Sequence, residues 1–346
     1  MSGDSLPVGK LPSELLERII ALLPTQGERV LLGPGIGLDC AVVEASDHLL
    51  VLKSDPITFA TDSIGWYAVQ VGVNDIVTTG AIPRWMLVTL LLPESEAQKL
   101  AVEIGQQLQR ACEELDLIVV GGHTEVTYGL DRPILVGTMI GEVSRDQLVT
   151  PRGAQPGDRL LLTKGVPIEA TAILARDFPY HLCKPPNGLT AEQLQIARDF
   201  LHHPGISVYR EALTAVRAGK VHAMHDPTEG GIYTALWELA EACHCTLRVD
   251  LSAIPVPALS QRICRLLNLD PFAAIASGAL LLATAPDEAA RIGQAIHQQG
   301  IECVEIGQVS DENGPPIVKA GFAPDAEPIP RPERDEIARF YSSQME

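Results

Sequence analysis

The stretch that most constrains this chain runs from residue 53 to residue 81 and reads KSDPITFATDSIGWYAVQVGVNDIVTTGA. From Ile64 to Val77 the residues are apolar on nearly every side of a helix, so the pattern predicts a helix buried on most faces. Asn74 and Asp75 lie inside this helix. Burying a carboxylate costs several kcal/mol unless a cation or hydrogen-bond donors satisfy it, so Asp75 requires a metal ion or a positively charged side chain. The alternative is a buried aspartate that only bridges or caps elements inside the fold.

A second acid, Asp55, precedes this helix. It follows the apolar run Leu49–Leu52, and Pro56 after it lacks the N–H group of a paired strand, so we expect the strand to end here. Lys53, two residues before Asp55, is an expected cofactor-binding residue. If Asp75 depends on a bound metal, Asp75→Asn should leave the stability of the metal-free protein unchanged or raise it.

The composition favours contact with phosphate through a metal ion rather than through basic side chains. The 346 residues include 44 acids and 26 bases, and this net charge of −18 argues against a nucleic-acid surface. No apolar run reaches the ~18 residues of a membrane span, and the first residues lack the basic start and apolar centre of a secretory signal. We therefore expect a cytoplasmic protein with reduced cysteines and no membrane partner. Acidic proteins bind nucleotides through backbone N–H groups and a divalent cation.

A polar cluster follows the apolar segment Leu117–Val120. Paired glycines, Gly121 and Gly122, are expected to end that strand, and His123, Thr124 and Glu125 come directly after them. For His123 alone, a structural role and a functional role are equally good readings. Together with Glu125 and Asp75, the cluster favours a shared metal and phosphate site.

Strand and helix patterns alternate through both halves of the chain, which predicts an α+β fold of two domains. The segment TPRGAQPGDRL indicates a domain boundary near residues 150–157. We expect an amino-terminal domain at residues 1–152 and a carboxyl-terminal domain at residues 153–325. Residues 326–346 are assigned to a tail, and the sequence from Ala323 onward is predicted to be loosely ordered because it is rich in Pro, Asp and Glu.

In the second half of the chain, the stretch whose residues suggest a chemical role is MHDPTEGGIYTALWELAEA at residues 224–242. Asp226 suits an N-cap, Pro227 the first helical position and Glu229 the third, so a capping box alone could explain Asp226. Gly230 and Gly231 would lie in the first helical turn, where they weaken the helix and expose N–H groups, as an anion site requires.

Several spaced motifs together resemble the AIR-synthase-related, PurM-like ATP-binding superfamily, with the closest likeness to the HypE-like hydrogenase maturation group. The resemblance extends over nearly the whole chain. The motifs are SDP (54–56), IGWYAVQVGVNDIVTTGAIPRW (64–85), GGHTEVT (121–127), LTKGVPIEATAILA (162–175), HDPTEGG (225–231) and ASGALLLA (276–283).

The resemblance implies a homodimer in which amino-terminal strands pair, and ATP and Mg²⁺ in a cleft with transfer or cleavage at the γ-phosphate. Asp55, Asn74 and Asp75 match residues that hold metal and phosphates in the family, and Asp226 matches the acid that begins the second domain's phosphate-facing helix. The expected catalytic acids are Asp55, Asp75 and Asp226. The expected metal ligands are Asp39, Asp55, Asp75, Glu125 and Asp226. The expected cofactor-binding residues are Lys53, Asn74, Gly121, Gly122, His123, Thr124, Gly230 and Gly231.

Three departures from the family pattern matter. The Gly-Asp-Asp-Ala-Ala loop reads Gly37-Leu38-Asp39-Cys40-Ala41 here, which removes one carboxylate. His123 stands where kinases and dehydratases of the family usually have Asp. The sequence ends FYSSQME rather than in the Pro-Arg-Ile-Cys tail that carries the substrate group in HypE, which argues against cyanide-group synthesis in that form.

The leading hypothesis is an ATP- and Mg²⁺-dependent enzyme that phosphorylates an oxygen of an unidentified small-molecule acceptor, or activates a carbonyl or amide oxygen for dehydration. The loss of an acid at Leu38 leaves open a non-catalytic nucleotide-binding or partner-binding dimer. A hydrogenase-maturation accessory that acts on a partner's cysteine is the third alternative.

Overall fold

Two compact units make up the computed structural model, which describes residues 13–35, 37–57, 62–311, 314, 316–319 and 327–345. The expectation about the amino-terminal signal concerns residues outside these ranges. The amino-terminal unit contains residues 26–34 and 39–149, and the carboxyl-terminal unit contains the described parts of residues 1–25, 35–38 and 150–346. In the described ranges, no helix combines the length and apolarity needed to cross a membrane.

The amino-terminal unit is a six-stranded sheet with two helices packed on it. Its strands lie in the order β1-β2-β3-β6-β4-β5, and only β4 and β5 pair in parallel. A parallel pair needs a crossover connection, which the second of the two helices provides. After α1 (Ser13–Ile20) of the other unit, the elements are β1 (Val30–Leu32), β2 (Ala41–Ala45), β3 (His48–Ile57), α2 (Ile64–Val77), β4 (Ile82–Leu92), α3 (Ala97–Glu114), β5 (Ile118–Val126) and β6 (Ile134–Val143).

Helix α2 has the bounds and the burial that its apolar sequence predicts. It packs against β3, β6 and α3, and twelve of its residues are buried. At Gly65 a Cβ would lie 2.7 Å from the carbonyl oxygen of Ile104 in α3, so glycine allows this close approach of the two helices. The prediction of a helix buried on most faces, with Asn74 and Asp75 inside it, is confirmed.

Strand β3 continues through Asp55 and Pro56, so the expectation that it ends there is wrong. Its pairing with β6 includes Asp55 opposite Gly137 and Pro56 opposite Val136. On its other side β3 pairs with β2 only as far as Leu52. Pro56 therefore lies where β3 has a single neighbouring strand, and a proline without an N–H group is tolerated at such an edge.

The glycine pair Gly121-Gly122 lies inside β5 rather than at its end, which corrects a second boundary. The pairing of β4 and β5 shifts register between Met86 and Leu87, as in a β-bulge. Gly122 has φ +150°, and a Cβ there would lie 1.8 Å from the carbonyl oxygen of Val88. The glycines therefore permit the bulge and the close approach of β4.

The carboxyl-terminal unit contains a second six-stranded sheet, ordered β12-β9-β11-β7-β10-β8, with helices packed around it. Only β12 and β9 pair in parallel. The elements are β7 (Arg159–Thr163), α4 (Ile168–Asp177), α5 (Pro179–Leu182), α6 (Ala191–Arg198), α7 (Tyr209–Ala218), β8 (Val221–His225), α8 (Gly231–Cys243), β9 (Thr246–Val249), α9 (Ala258–Leu267), β10 (Leu281–Thr284), α10 (Pro286–Gln298), β11 (Cys303–Ser310), β12 (Ile317–Lys319) and α11 (Glu336–Met345). With one sheet in each unit and helices packed on both, the α+β class is confirmed.

Residues 327–345 pack on the carboxyl-terminal unit, so the expectation of a loose tail is wrong for this described part. Ile329 is buried in the core beneath α8. In α11, Ile337 and Phe340 belong to the core cluster around α4, and the ring of Phe340 lies 4.9 Å from that of Phe178. A polar segment with a few well-spaced apolar residues can dock when a groove already exists. The rest of the expected tail lies outside the described residues.

Replacing Phe340 by Ala should lower the free energy of unfolding of the carboxyl-terminal unit by about 3–5 kcal/mol, because a buried ring is lost and a cavity is left. Urea unfolding followed by near-ultraviolet circular dichroism measures this. The control is Tyr180→Ala on the adjoining α5, where the side chain is 77% exposed and the expected loss is about 0.5 kcal/mol or less. Equal effects of the two substitutions would show that α11 does not contribute to the core.

Candidate functional site

Three carboxylates of the amino-terminal unit surround one ammonium group. Lys53 Nζ lies 3.1 Å from Asp75 Oδ2, 3.2 Å from Asp55 Oδ2 and 4.0 Å from Asp39 Oδ1. Lys53 and Asp55 are two residues apart in β3, so their side chains lie on the same face of the sheet. Asp75 reaches the cluster from α2, and Asp39 from the segment before β2. Four residues selected from the sequence therefore meet at one place, here called the acid cluster.

The electrostatics of the acid cluster are those of an ammonium trapped by carboxylates. Burial by itself would lower the pKa of Lys53, but the charges of Asp75, Asp39 and Asp55 outweigh it, and the pKa lies well above its usual value. Lys53 is therefore charged at neutral pH. Lys53 is also the positively charged partner that Asp75 requires. Asp75→Asn removes the nearest carboxylate of a buried ammonium, so we now expect it to destabilise the metal-free protein.

The donor set of the acid cluster fits Mg²⁺. Three carboxylates carry three negative charges and Lys53 returns one positive charge, so a dication would balance what remains. Mg²⁺ prefers oxygen ligands and is usually held by one or two carboxylates together with water and phosphate oxygens. Asp55 is the most exposed of the three, with 42% of its side chain accessible, whereas the side chain of Asp75 is 4% exposed. Asp55 is therefore the acid that a cation from solvent would meet.

Asn74, which the sequence places beside Asp75, is fully buried in α2. The backbone around it is held by side chains: Cys40 Sγ donates to the carbonyl oxygen of Asp75 at 3.2 Å, and Thr78 Oγ1 donates to the same oxygen at 2.7 Å. The Cys40 bond connects the end of α2 to the segment that carries Asp39, whereas the Thr78 bond lies within the end of α2 itself.

The polar residues of β5 do not join the acid cluster within one chain. Gly121, Gly122, His123, Thr124 and Glu125 lie on the edge strand, and all of them are exposed. His123 Nε2 lies 3.1 Å from Glu125 Oε2, so these two residues contact each other. From β3, the strand of Asp55, the order passes β6 and β4 before β5, a distance of about 14 Å at the usual strand spacing. Within one chain, His123 and Glu125 therefore lie apart from Asp75, and these three residues do not form the expected single site.

Asp226 follows β8 directly and is 2% exposed. Helix α8 begins at Gly231, and its N-cap is Gly230 with φ +77°. The interpretation of Asp226 as an N-cap, with Pro227 at the first helical position, is therefore wrong. The turn between Asp226 and the helix is longer than the capping pattern indicates, so capping does not explain the acid.

Both glycine N–H groups at the start of α8 have partners inside the unit. Gly230 donates to Asp335 Oδ2 at 2.7 Å, and Gly231 donates to the carbonyl oxygen of Thr228 at 3.0 Å. A Cβ on Gly231 would lie 2.4 Å from the carbonyl oxygen of Phe272. Glycine is therefore needed here for close backbone packing. A phosphate at these N–H groups would have to displace Asp335, and their role in anion binding stays a prediction.

Sequence reasoning missed His225, the residue before Asp226. A ring nitrogen of His225 and a carboxylate oxygen of Asp226 lie within 4.8 Å of each other, close enough to share a metal ion. His225 Nε2 also lies 2.9 Å from Glu238 Oε2, and Arg331 lies 3.5 Å from the other oxygen of Glu238. Glu238 and Arg331 therefore orient a buried histidine beside the expected catalytic acid. The signal in the sequence was the His-Asp pair at the end of an apolar strand.

Family comparison matches the two units to two related domains. Residues 37–143 match AIR synthase related protein, N-terminal domain, and residues 155–318 match AIR synthase related protein, C-terminal domain. The chain belongs to the AIR synthase related family, and its two-domain α+β fold is the PurM-like fold of that family.

Individual relatives place the chain near hydrogenase maturation proteins. A putative hydrogenase expression/formation protein of Methanocaldococcus jannaschii is 27% identical, with 93% of this chain and 96% of the relative covered. Carbamoyl dehydratase HypE of Escherichia coli is 25% identical, with 85% and 88% covered. A HypE–HypF complex contains a chain of the same fold, with TM-score 0.73, 18% identity, and 92% of this chain and 99% of that chain covered. HypE in complex with ATP gives TM-score 0.69 and 22% identity, with 87% and 90% covered.

Replacing Lys53 by Met should lower the free energy of unfolding of the amino-terminal unit by about 3–5 kcal/mol, because Asp75 would remain buried without its cation. Urea unfolding in a chelator-containing buffer measures the change. Lys99→Met on α3 is the matched control, since the Lys99 side chain is 61% exposed and lies 3.6 Å from Glu96. That surface pair is worth about 1 kcal/mol or less. A Lys53→Met protein as stable as the control would show that the acid cluster does not depend on the ammonium.

Proposed function

We propose that this chain is an ATP- and Mg²⁺-dependent enzyme that transfers or cleaves the γ-phosphoryl group, and so phosphorylates or activates an oxygen of its acceptor. The observation that carries the proposal is the acid cluster, in which Asp39, Asp55 and Asp75 converge on Lys53. Family membership supports it, as does the similarity in fold to HypE bound to ATP.

The roles follow from exposure and charge. Lys53 holds the three acids together against their mutual repulsion, and Asp55, the most exposed acid, offers its oxygens to the metal. Bound Mg²⁺ would neutralise the negative charge of the phosphates, which is the main requirement of phosphoryl transfer. Asp226, on the other unit, is a second catalytic acid in this proposal, held beside His225 and its partner Glu238.

The choice between oxygen phosphorylation and dehydration depends on the acceptor. The E. coli relative is named carbamoyl dehydratase, which supports activation of a carbonyl or amide oxygen. Leu38, where the family has Asp, favours the alternative of a dimer that binds nucleotide without turnover. A hydrogenase-maturation accessory is supported by the name of the M. jannaschii relative.

A cytoplasmic location belongs to the same proposal. None of the seven cysteines, all of which lie in the described ranges, forms a disulfide. Reduced cysteines are typical of proteins that remain in a reducing compartment.

The substitutions Asp55→Asn and Asp226→Asn test whether the chain turns over ATP and whether each of these acids takes part in the reaction. We expect each to lower Mg²⁺-dependent ATP turnover by about 100-fold or more with little change in melting temperature, because each removes a charge while keeping a side chain of the same shape. Asp55→Asn should also weaken Mg·ATP binding measured by calorimetry. The control is Asp47→Asn, in the exposed turn between β2 and β3, where the aspartate side chain is 84% exposed.

Three results are informative. If Asp55→Asn binds Mg·ATP within twofold of wild type, the acid cluster is not the metal site. If wild type binds Mg·ATP without any turnover across candidate acceptors, the nucleotide-binding dimer is the function. If only Asp55→Asn impairs turnover, Asp226 is a structural residue.

We also propose that two copies pair through β5. This strand has β4 as its one neighbour among the described strands, and Ile118, Val119, Val120 and Val126 are each at least 46% exposed. Parallel strands are normally covered on both faces, and an exposed apolar edge invites pairing with another chain. A second copy is also the route by which His123 and Glu125 could meet an acid cluster, since within one chain β5 lies too far from it.

Sedimentation of the wild type at micromolar concentration should give a dimer, and Val119→Lys should convert it into a monomer, because a charge would be buried at the pairing edge. Val102→Lys on α3 is the matched control, since Val102 is 56% exposed on a different surface and its substitution should leave the dimer intact. A wild-type monomer, or a Val119→Lys dimer of unchanged stability, would contradict pairing through β5.

A further inference from the structure

The segment that leads into α11, residues 329–335, lies against α8 and is here called the strap. It contains no helix or strand. Trp237 Nε1 in α8 donates to the carbonyl oxygen of Ile329 at 3.0 Å, and Ile329 is buried in the core beneath the helix. Beyond this contact, the strap reaches α8 through two charged side chains, those of Arg331 and Asp335.

Arg331 meets the middle of α8, at the glutamate that contacts His225. Its Nη2 atom lies 3.5 Å from Glu238 Oε1, and its Nη1 atom lies 3.7 Å from Glu241 Oε2. The other oxygen of Glu238 lies 2.9 Å from His225 Nε2. Glu238 is 8% exposed, and a buried carboxylate requires positive charge nearby. Arg331 therefore supplies charge to Glu238 and helps to fix the direction in which this carboxylate faces His225.

Asp335 meets the start of α8, at the turn that follows Asp226. Its Oδ2 accepts from Gly230 N at 2.7 Å, and its Oδ1 accepts from Ile337 N at 2.8 Å. Burial raises the pKa of Asp335 to about 6, so the carboxylate is mostly ionised at neutral pH and both hydrogen bonds are charge-assisted. Gly230 has φ +77°, and a glycine is free to leave this conformation, so an anchor from outside the turn makes it more rigid.

One stretch of extended chain is long enough to make both charged contacts. Gly230 and Glu238 lie about 12 Å apart along α8 at the usual rise per residue. Arg331 and Asp335 are four residues apart, and an extended chain spans about 13 Å over that separation. The strap therefore holds the start and the middle of α8 at the same time.

We propose that the strap positions the candidate catalytic residues of the carboxyl-terminal unit. Asp335 holds the turn that follows Asp226. Arg331 orients His225 through Glu238. Both act through other residues, so they are positioning residues. The inference rests on the role of Asp226 in the proposed phosphoryl transfer.

Loss of a positioning residue should act on turnover more than on nucleotide binding. Groups that orient a catalytic or ligating side chain contribute about 10–100-fold to activity. The acid cluster of the amino-terminal unit would remain intact. We therefore expect a lower kcat with little change in the KM for ATP.

The substitution Asp335→Ser separates the anchor of the turn from the cap of α11. Serine can still cap α11 at Ile337 N, but its side chain ends one bond earlier and loses Gly230 N. At pH 8 we expect kcat for Mg²⁺-dependent ATP turnover to fall about 10-fold or more, with the KM for ATP within about twofold of wild type. Amide hydrogen exchange of residues 226–231, measured by mass spectrometry without nucleotide, should become about 10-fold faster or more.

Arg331→Met should lower kcat by about 10-fold or more, because Glu238 loses positive charge, and Arg331→Lys should restore it to within about threefold of wild type. Arg339→Met is the matched control. Arg339 lies in α11 with its side chain 48% exposed, and its partners Glu336 and Asn268 lie outside α8. This control should leave both kcat and the amide exchange of residues 226–231 unchanged.

Unchanged exchange in Asp335→Ser, or faster exchange with an unchanged kcat, would overturn the proposal. Equal losses of kcat in Arg331→Met and Arg331→Lys would overturn the role of charge at Glu238. A wild type that binds Mg·ATP without turnover would instead contradict the proposed phosphoryl transfer. In that case, faster exchange in Asp335→Ser would still support the strap as the anchor of the turn, and unchanged exchange would overturn it.

Discussion

The ammonium of Lys53 is the interaction on which the amino-terminal unit depends. A helix as apolar as α2 belongs in a core, yet Asp75 sits near its end with a side chain that is 4% exposed. The helix can be buried with this carboxylate because β3 delivers a lysine beside it. The same lysine holds Asp55 and Asp39 within 4.0 Å. One buried positive charge thus permits the packing of α2 and gathers acids that would otherwise repel one another.

Local sequence patterns predicted much of the fold and the central part of the candidate site. The apolar run Ile64–Val77 predicted α2 to the residue, and the cost of burying Asp75 predicted that a cation must lie beside it. The sequence did not decide whether that cation is a metal or a side chain. The identity of the partner depends on which strand packs under α2, and this is a tertiary fact that spacing along the chain does not encode.

Other features, such as where strands end and where α8 begins, depend on the segments that pack against them rather than on the local preferences of their own residues. Pro56 and the pair Gly121-Gly122 are residue types that usually end strands. Here the neighbouring strands continue past them, so β3 and β5 are longer than their own sequences predict. Asp226 looked like a helix cap because Pro and Glu follow at suitable positions. The carbonyl of Phe272 and the carboxylate of Asp335 instead set where α8 begins.

The carboxylate of Asp335 joins the starts of two helices that are about a hundred residues apart in sequence, by accepting from Gly230 in front of α8 and from Ile337 in α11. During synthesis on the ribosome the turn after Asp226 emerges long before its partner does. This turn cannot reach its final conformation until the last part of the carboxyl-terminal unit has left the exit tunnel. The turn after Asp226 therefore waits for Asp335 to be made before it can reach this conformation, and a chain lacking Asp335 would carry Asp226 on a turn without this anchor.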